Sequence, residues 1–377
     1  MTQALSTLPS VDWKNVGDMG PIMPLLADDS VNDILINGPD QVFVERNGRL
    51  EKTSITFANE EAVHELAVRI VKAVGRSLDE KRPLVDARLA DGSRVNIIAP
   101  PLSVDGTSIS IRKFSRHKIT IDDMVTQGNV SPALGEFLKV IGRAKMNIVI
   151  SGGTGSGKTT LLNAMSRYIE NWERIVTIED AAELQLQQPH VVRLETKPLV
   201  LGQHPTEEVS IRDLVRNALR MRPDRIIVGE VRGMEAFDMM QAMNTGHEGS
   251  LTTIHANHPR DAIARLENMI SMANLNIPVR SIRSQIASAV HLIVQISRMR
   301  DGVRRVTYVS EIMGMEGDVV TMNDLFTYVT EGDGIDGKLT GQFQWSGIMP
   351  RCIRRVAYYG ELDNMAKALG IKIPKLT

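Results

Sequence analysis

The 377-residue chain carries 44 basic and 45 acidic residues, a formal net charge of −1, and 42% hydrophobic residues. This near-neutral balance excludes the general basic surplus of nucleic-acid binding proteins, and an aromatic content of 4% leaves few side chains for stacking bases. The single cysteine, Cys352, excludes an intramolecular disulfide and a thiolate metal cluster and is compatible with a reducing cytoplasm. We therefore expect a soluble globular protein of two domains.

We expect residues 1–29 to be a flexible N-terminal segment. The segment lacks the positive start and apolar core of a signal peptide, and no window of the chain approaches the roughly 18 apolar residues of a membrane span. Any contact with a membrane is therefore expected to go through partner proteins.

Residues 30–114 predict a smaller α+β domain. The runs "DILIN", "QVFVER", "VDARLADGSRVNIIAP" and "TSISIRKF" are typical of strands joined by tight turns. Between them, Asn59 can cap a helix, and its apolar face is predicted to consist of Val63, Leu66, Ala67, Ile70, Val71 and Val74. The polar, turn-rich residues 115–132 are interpreted as a linker.

Residues 133–377 predict an α/β domain with a C-terminal extension. Four short apolar runs, separated by amphipathic helical stretches, favour a parallel sheet with helices on both faces: "NIVIS", "RIVTIED", "RIIVGE" and "SLTTIH". From about residue 291 the pattern is that of hairpins. The last 60 residues carry no identifiable motif.

The stretch "SGGTGSGKTT" (151–160) matches the phosphate-binding loop pattern without a mismatch. Glycines let backbone N–H groups surround a phosphate, Lys158 adds a positive charge, and the Thr159 hydroxyl can ligate Mg²⁺. A glycine-rich turn without function is the alternative, and the flanking strand and helix disfavour it. The predicted ATP-binding residues are Gly153, Thr154, Gly155, Ser156, Gly157, Lys158, Thr159 and Thr160.

Acidic residues follow the next apolar strand. Glu179, Asp180 and Glu183 lie in "IVTIEDAAEL", at a strand end of the kind where open α/β sheets bind ligands. Such carboxylates can hold Mg²⁺ through water or orient an attacking water. Solvated turn residues remain the alternative. Thr159 and Glu179 are the candidate Mg²⁺ ligands.

Two further strands end in candidate site residues. "DRIIVGEVRG" ends in Glu230, and Gly229 stands where ATPases of this kind usually carry aspartate. "GHEGSLTTIHAN" places His255 at a strand end, where it could contact the γ-phosphate, whereas His247 is interpreted as structural.

In that order, these four motifs resemble the type II/type IV secretion ATPase superfamily. Within it, "NGPDQVFVERNGRL", "SISIRKF", "LRMRPDRIIVGEVRG" and "SEIMGMEGDVV" resemble the CpaF-type ATPases of Tad (Flp) pili. The resemblance implies a RecA-like ATPase domain behind an N-terminal domain, a hexameric ring and ATP with Mg²⁺ as ligands. By position it implies that Glu183 is catalytic, that Glu230 and His255 belong to the site, and that three arginines contribute to it, namely Arg94, Arg112 and Arg265. The residues alone equally allow Arg94 and Arg112 to be outward-facing strand residues.

The predicted function is an ATP-hydrolysing motor for Tad pilus assembly or retraction. It would be cytoplasmic, peripheral to the inner membrane through a platform protein, and without a stable nucleic-acid partner. A RecA-like nucleic-acid translocase remains an alternative because of the basic run "RKFSRHK" (112–118). A low-turnover regulatory nucleotide-binding module remains another, because Gly229 replaces the usual aspartate.

Overall fold

The computed structural model describes residues 17–46, 48–89, 91–114, 118–197, 208–273, 276–334 and 337–373. The chain divides into two compact units, and the division falls between His117 and Lys118. Residues 1–16 of the expected flexible segment and residues 115–117 of the expected linker lie outside the described residues.

The first unit is built on an antiparallel six-stranded sheet with strand order β3-β2-β1-β6-β5-β4. Its strands are β1 (Val31–Ile36), β2 (Val42–Arg46), β3 (Arg49–Lys52), β4 (Leu84–Arg88), β5 (Arg94–Ile98) and β6 (Ser108–Arg112). The helix predicted after Asn59 is α2 (Glu60–Ala73), and the Asn59 side chain accepts a hydrogen bond from the Ala62 N–H at 2.9 Å. Its buried residues join those of the strands in one core.

Residues 17–29 differ from the expected flexible segment. They contain a short 3₁₀ turn, Gly20–Ile22, and helix α1 (Met23–Ala27). Met19, Ile22, Leu25 and Leu26 are buried in the core of the first unit. Apolar side chains at this spacing are held by burial, so this part of the segment is packed structure.

The part of the expected linker that is described, residues 118–132, also differs from that interpretation. It contains helix α3 (Ile121–Thr126), which begins with a capping box between Thr120 and Asp123. Ile121 and Met124, one helical turn apart, are buried in the core of the second unit. Four polar residues next to these two apolar residues give the segment its linker-like composition, namely Thr120, Asp122, Asp123 and Thr126.

The second unit is organised around a nine-stranded sheet with order β15-β14-β13-β12-β7-β11-β10-β8-β9. The strands from β12 to β9 in that order are parallel, and β13, β14 and β15 extend the sheet by antiparallel pairing. Their bounds are β7 (Ile148–Ser151), β8 (Ile175–Glu179), β9 (Val191–Glu195), β10 (Arg225–Val228), β11 (Leu251–Ile254), β12 (Leu292–Arg298), β13 (Arg304–Glu316), β14 (Val319–Asp333) and β15 (Leu339–Trp345). The predicted parallel sheet is confirmed.

Helices cover both faces of this sheet and give the second unit two apolar cores. One core includes residues of α3, α4 (Pro132–Arg143), α5 (Lys158–Ser166), α10 (Ile353–Tyr358) and α11 (Leu362–Leu369). The other includes residues of α6 (Ile211–Ala218), α7 (Glu235–Asn244), α8 (Pro259–Ser271) and α9 (Val279–Ala289). Strands β7, β8, β10 and β11 are buried along their whole length because helices pack on either side of them.

The strand order also fixes where the candidate site residues lie. Strands β7, β11, β10 and β8 are consecutive neighbours and run in the same direction. Their carboxyl ends therefore form one edge of the sheet. The glycine-rich loop, His255, Glu230 and the acidic residues after β8 all follow these ends.

Candidate functional site

The glycine-rich loop after β7 has a backbone that few other residues would permit. Gly155 and Gly157 have φ angles of 66° and 99°, in the left-handed region that favours glycine. A Cβ atom added to Gly152 would lie 2.4 Å from the carbonyl oxygen of Ile296 on β12. The Ser156 hydroxyl donates to the Gly153 carbonyl oxygen at 2.9 Å and closes the turn. Helix α5 begins directly after Gly157, so its N-terminus faces the loop.

Lys158 is a buried cation at this helix N-terminus. Only 8% of the residue is exposed, and its Nζ donates to the Gly153 carbonyl oxygen at 2.9 Å. Burial lowers the pKa of the lysine, a shift that the negative charge of Glu230 opposes. A dehydrated ammonium group that faces exposed backbone at a helix N-terminus suits a phosphate anion. The geometry of the loop therefore fits the phosphate group of a nucleotide.

The structure brings Glu230 and His255 together beside Lys158. The Nε2 atom of His255 lies 2.7 Å from Oε1 of Glu230 and 3.4 Å from Nζ of Lys158. Burial, and then the charge of Lys158, lower the pKa of His255, so the neutral ring is favoured at neutral pH. Because a lysine ammonium can only donate, Nε2 of His255 is the acceptor in the contact with Lys158, which favours the tautomer with the proton on Nδ1.

Arg232 is a site residue that the sequence analysis missed. Its Nε donates to Oε2 of Glu230 at 2.7 Å, and its Nη1 lies 3.5 Å from Oδ2 of Asp180. It thus connects the carboxylates that follow β10 and β8. Its position two residues after Glu230 was the available signal, but a single exposed arginine in a turn gave no reason to select it.

Glu179 occupies the space that an aspartate at position 229 would need. A Cβ atom on Gly229 would lie 2.9 Å from Cγ of Glu179, closer than real Cβ atoms approach. The Glu179 carboxylate is buried, and its Oε2 accepts hydrogen bonds from the N–H groups of Glu183 and Leu184 at 2.7 and 2.9 Å. Burial raises the pKa of Glu179 to about 7 against the effect of these two bonds. Glu179 therefore anchors the segment that carries Glu183.

The residues at the loop suit Mg²⁺ of the kind held largely by phosphate oxygens and water. Within the part of the chain that the structure describes, no group of three or more His, Cys, Asp or Glu side chains forms a metal site. Mg²⁺ bound with a nucleotide needs few protein ligands. The hydroxyl of Thr159, in the first turn of α5, has suitable chemistry. At Glu179, Oε2 accepts two backbone hydrogen bonds, whereas Oε1 is buried without a hydrogen-bond partner among the described residues, so Oε1 is the oxygen that would be available to the ion.

The three predicted arginines lie in different places. Arg265 is exposed on α8, and its positive charge contributes to the lowered pKa of His255. Arg94 and Arg112 belong to the first unit and are cross-strand partners on β5 and β6. Arg94 lies 3.6 Å from a carboxylate oxygen of Asp86, and Arg112 lies 3.1 Å from one of Asp33.

No helix among the described residues is long and apolar enough to cross a bilayer.

Comparison with known proteins identifies relatives across most of the chain. The family model described as "Type II/IV secretion system protein" matches residues 15–318. A Mycobacterium tuberculosis H37Rv protein, provisionally named a conjugal transfer protein, is 38% identical over 324 residues, covering 84% of this chain and 91% of its own. The type IV secretion system protein PtlH of Bordetella pertussis is 35% identical over 312 residues, covering 75% of this chain and 90% of its own.

A solved structure gives the fold. The pilus retraction motor PilT, crystallised with bound ADP, superposes with a TM-score of 0.54 at 18% identity and covers 92% of this chain and 88% of its own. At that identity the likeness shows the fold alone, and it confirms a RecA-like ATPase fold preceded by an N-terminal α+β domain. Together with the matched family model, which spans most of both units, this shows that the chain belongs to the type II/IV secretion system protein family.

Proposed function

We propose that this protein is an ATP-hydrolysing motor of a Tad (Flp) pilus assembly machine. It works as a hexameric ring at the inner membrane, where a platform protein receives the work of hydrolysis. The relatives named in conjugal transfer and type IV secretion support a role in such a machine. The short sequences shared with CpaF-type ATPases favour the Tad branch.

The observation that carries the proposal is the convergence of three motifs at the phosphate-binding loop. Lys158, His255 and Glu230 follow three neighbouring strands, and Nε2 of His255 lies 3.4 Å from Nζ of Lys158 and 2.7 Å from Oε1 of Glu230. They combine a cation for the transferred phosphate, a neutral imidazole and a carboxylate. Positioning and electrostatic stabilisation of this kind account for most of the catalysis of phosphoryl transfer.

Each residue has a distinct part in this proposal. The loop N–H groups and Lys158 bind the β- and γ-phosphates, and Thr159 holds Mg²⁺, which neutralises charge on the phosphates when bound. Glu183 polarises the attacking water, and the reaction converts ATP and water to ADP and phosphate. Glu183 is chosen for the water by its position in the acidic motif, and Glu179 fixes its backbone by accepting a hydrogen bond from its N–H. His255 is poised to report on the γ-phosphate through its contacts with Lys158 and Glu230.

The resemblance to the secretion ATPases assigns Arg94 and Arg112 to the nucleotide. They are opposite each other in register, and each also has a carboxylate partner within the first unit. We propose that they bind nucleotide phosphates within the assembled ring, and that Arg265 contributes as well. The rival nucleic-acid interpretation has less support, because Lys113 of the basic run already donates to the carbonyl oxygens of Leu25 and Asp28. Residues 115–117 of that run lie outside the described residues.

The proposal is tested by ATP turnover measured against oligomeric mass across protein concentration. We expect turnover to rise as a six-subunit species forms, to disappear in Lys158→Ala, and to disappear in Glu183→Gln with ATP binding retained. Glu65→Gln, which removes an exposed carboxylate from α2, is the matched control and should keep wild-type turnover.

Three outcomes would contradict parts of the proposal. Full turnover in the monomer would remove the ring mechanism, and robust turnover in Glu183→Gln would remove the catalytic assignment. A severalfold stimulation of turnover by DNA or RNA at moderate salt would favour a nucleic-acid translocase instead.

A further inference from the structure

Arg304, the first residue of β13, touches the phosphate-binding loop. Its Nε donates a hydrogen bond to the carbonyl oxygen of Gly155 at 2.9 Å. Its Cδ lies 3.2 Å from the place that a Cβ atom of Gly157 would occupy, so the arginine stem lies against that glycine. None of the motifs that define the site contains this arginine.

The backbone at Arg304 is itself fixed by Asn129, in the segment after α3. The Asn129 side-chain amide donates to the Arg304 carbonyl oxygen at 2.7 Å, and the Val306 N–H donates to the Asn129 carbonyl oxygen at 3.0 Å. Asn129 is buried, with 8% of the residue exposed. These hydrogen bonds therefore fix the backbone from which the Arg304 side chain reaches the loop.

A loop of glycines needs such support. Glycine loses more conformational freedom on ordering than any other residue, and four of the six residues from Gly152 to Gly157 are glycines. The loop N–H groups can donate to one phosphate together only if the backbone adopts a single conformation. Holding that conformation before the ligand arrives lowers the free-energy cost of binding. The Arg304 hydrogen bond fixes the loop at Gly155, one of its two left-handed positions.

We propose that Arg304 is a positioning residue of the nucleotide site, which holds the phosphate-binding loop in its binding conformation through the Gly155 carbonyl. The inference rests on the proposed function, since it assigns the loop to nucleotide phosphate. It also gives the β12–β13 hairpin a role in that site.

The chain offers a matched control for the charge of Arg304. Arg298 on β12 is its direct cross-strand partner, and it is exposed. Among the described residues, its side chain makes no hydrogen bond or ion pair, and only its backbone is paired in the β12–β13 ladder. Arg298→Ala removes the same charge from the same hairpin and leaves the bond to Gly155 in place. A second variant separates the bond from the charge, because glutamine carries an N–H donor at the position of arginine Nε and is neutral.

The experiment measures dissociation constants for fluorescent ATP and ADP analogues. We expect Arg304→Ala to raise both by about 10- to 100-fold, the range for losing a hydrogen bond from a charged donor. Arg304→Gln should stay within about fivefold of wild type and Arg298→Ala within about twofold. In turnover assays, Arg304→Ala should raise KM while kcat falls less than about threefold, because bound ATP itself orders the loop.

Several results would overturn the proposal. Unchanged affinity in Arg304→Ala would do so, and so would equal losses in Arg304→Ala, Arg304→Gln and Arg298→Ala, which would assign the effect to charge alone. A fall in kcat at unchanged KM would also contradict it. A wild-type protein that binds no nucleotide would overturn the proposed function together with this inference, whereas tight wild-type binding with no effect of Arg304→Ala would overturn this inference only.

Discussion

Replacing Gly229 with a residue that has a side chain is expected to damage the protein, even when the replacement is the aspartate usual in such ATPases. The added Cβ would lie 2.9 Å from Cγ of Glu179, so the glutamate must move. Overpacking of this kind costs about 1–3 kcal/mol of unfolding free energy. Movement of Glu179 also releases the backbone of Glu183 and Leu184, whose hydrogen bonds contribute about 1 kcal/mol each.

Two assays separate these effects. Urea unfolding of Gly229→Ala should show a loss of about 3–5 kcal/mol. Turnover of Gly229→Asp should fall at least tenfold, because the segment that carries Glu183 loses its anchor. An increase in turnover on restoring aspartate would refute this reasoning.

A double-mutant cycle with Glu179→Ala supplies the control. Truncating Glu179 opens the space that the new Cβ needs, so Gly229→Ala should cost less than about 0.5 kcal/mol in that background. An equal cost in both backgrounds would show that the collision with Glu179 is not the cause.

Three further predictions concern stability. Burial raises the pKa of Glu179 from its ordinary 4.5 to about 7. Between these pH values the folded state therefore keeps a proton that the unfolded state releases. The unfolding free energy should consequently fall by up to about 3 kcal/mol as pH rises from 4.5 to 7. Glu179→Gln should lack this slope in urea unfolding at several pH values, and a slope equal to that of wild type would count against the assignment. Arg225 is fully buried, and its Nε and Nη2 donate to Glu173 at 2.8 and 2.9 Å. Arg225→Met should lower the unfolding free energy by about 3–5 kcal/mol, because among the described residues it leaves the buried carboxylate with Lys145 as its one charged partner. Calorimetry showing a loss below about 1 kcal/mol would reject that estimate. Phe137 is fully buried on α4, and its ring centroid lies 5.1 Å from that of Phe326. Phe137→Ala should lower the unfolding free energy by about 3–5 kcal/mol. A shift of the denaturant midpoint too small for that figure would mean that the core collapses around the cavity.

The parts of the fold that were predictable from sequence are those with a local signal. A continuous apolar run followed by a glycine-rich loop gave β7 and the loop, and the asparagine cap with a 3.6-residue apolar period gave α2. Because parallel strands end at a common edge, the positions of Glu230 and His255 also followed from their strands. Their approach to 2.7 Å needed only that β10 and β11 be neighbours.

The rest depended on contacts between residues distant in sequence. The vacancy at Gly229 suggested a weakened site, but the space is filled by Glu179, fifty positions earlier on the neighbouring strand. Arg212 and Arg216 lie one helical turn apart on α6, and both donate to Asp238 of α7 at 2.8 Å. Such pairings leave no periodic trace in the sequence, because each is decided by how two elements pack.

The order of strands in the second unit also has a consequence for synthesis on the ribosome. Strand β7 precedes the phosphate-binding loop and pairs with β11 and β12. These two partners become available only when residues 251–254 and 292–295 have been made. At about 5–20 residues per second, the 141 positions from 151 to 292 take about 7–28 s to translate. The six strands of the first unit, complete at Arg112, can pair during that interval. A nascent chain therefore acquires its N-terminal unit well before it can bind nucleotide, and chains truncated before β12 should be unable to hydrolyse ATP.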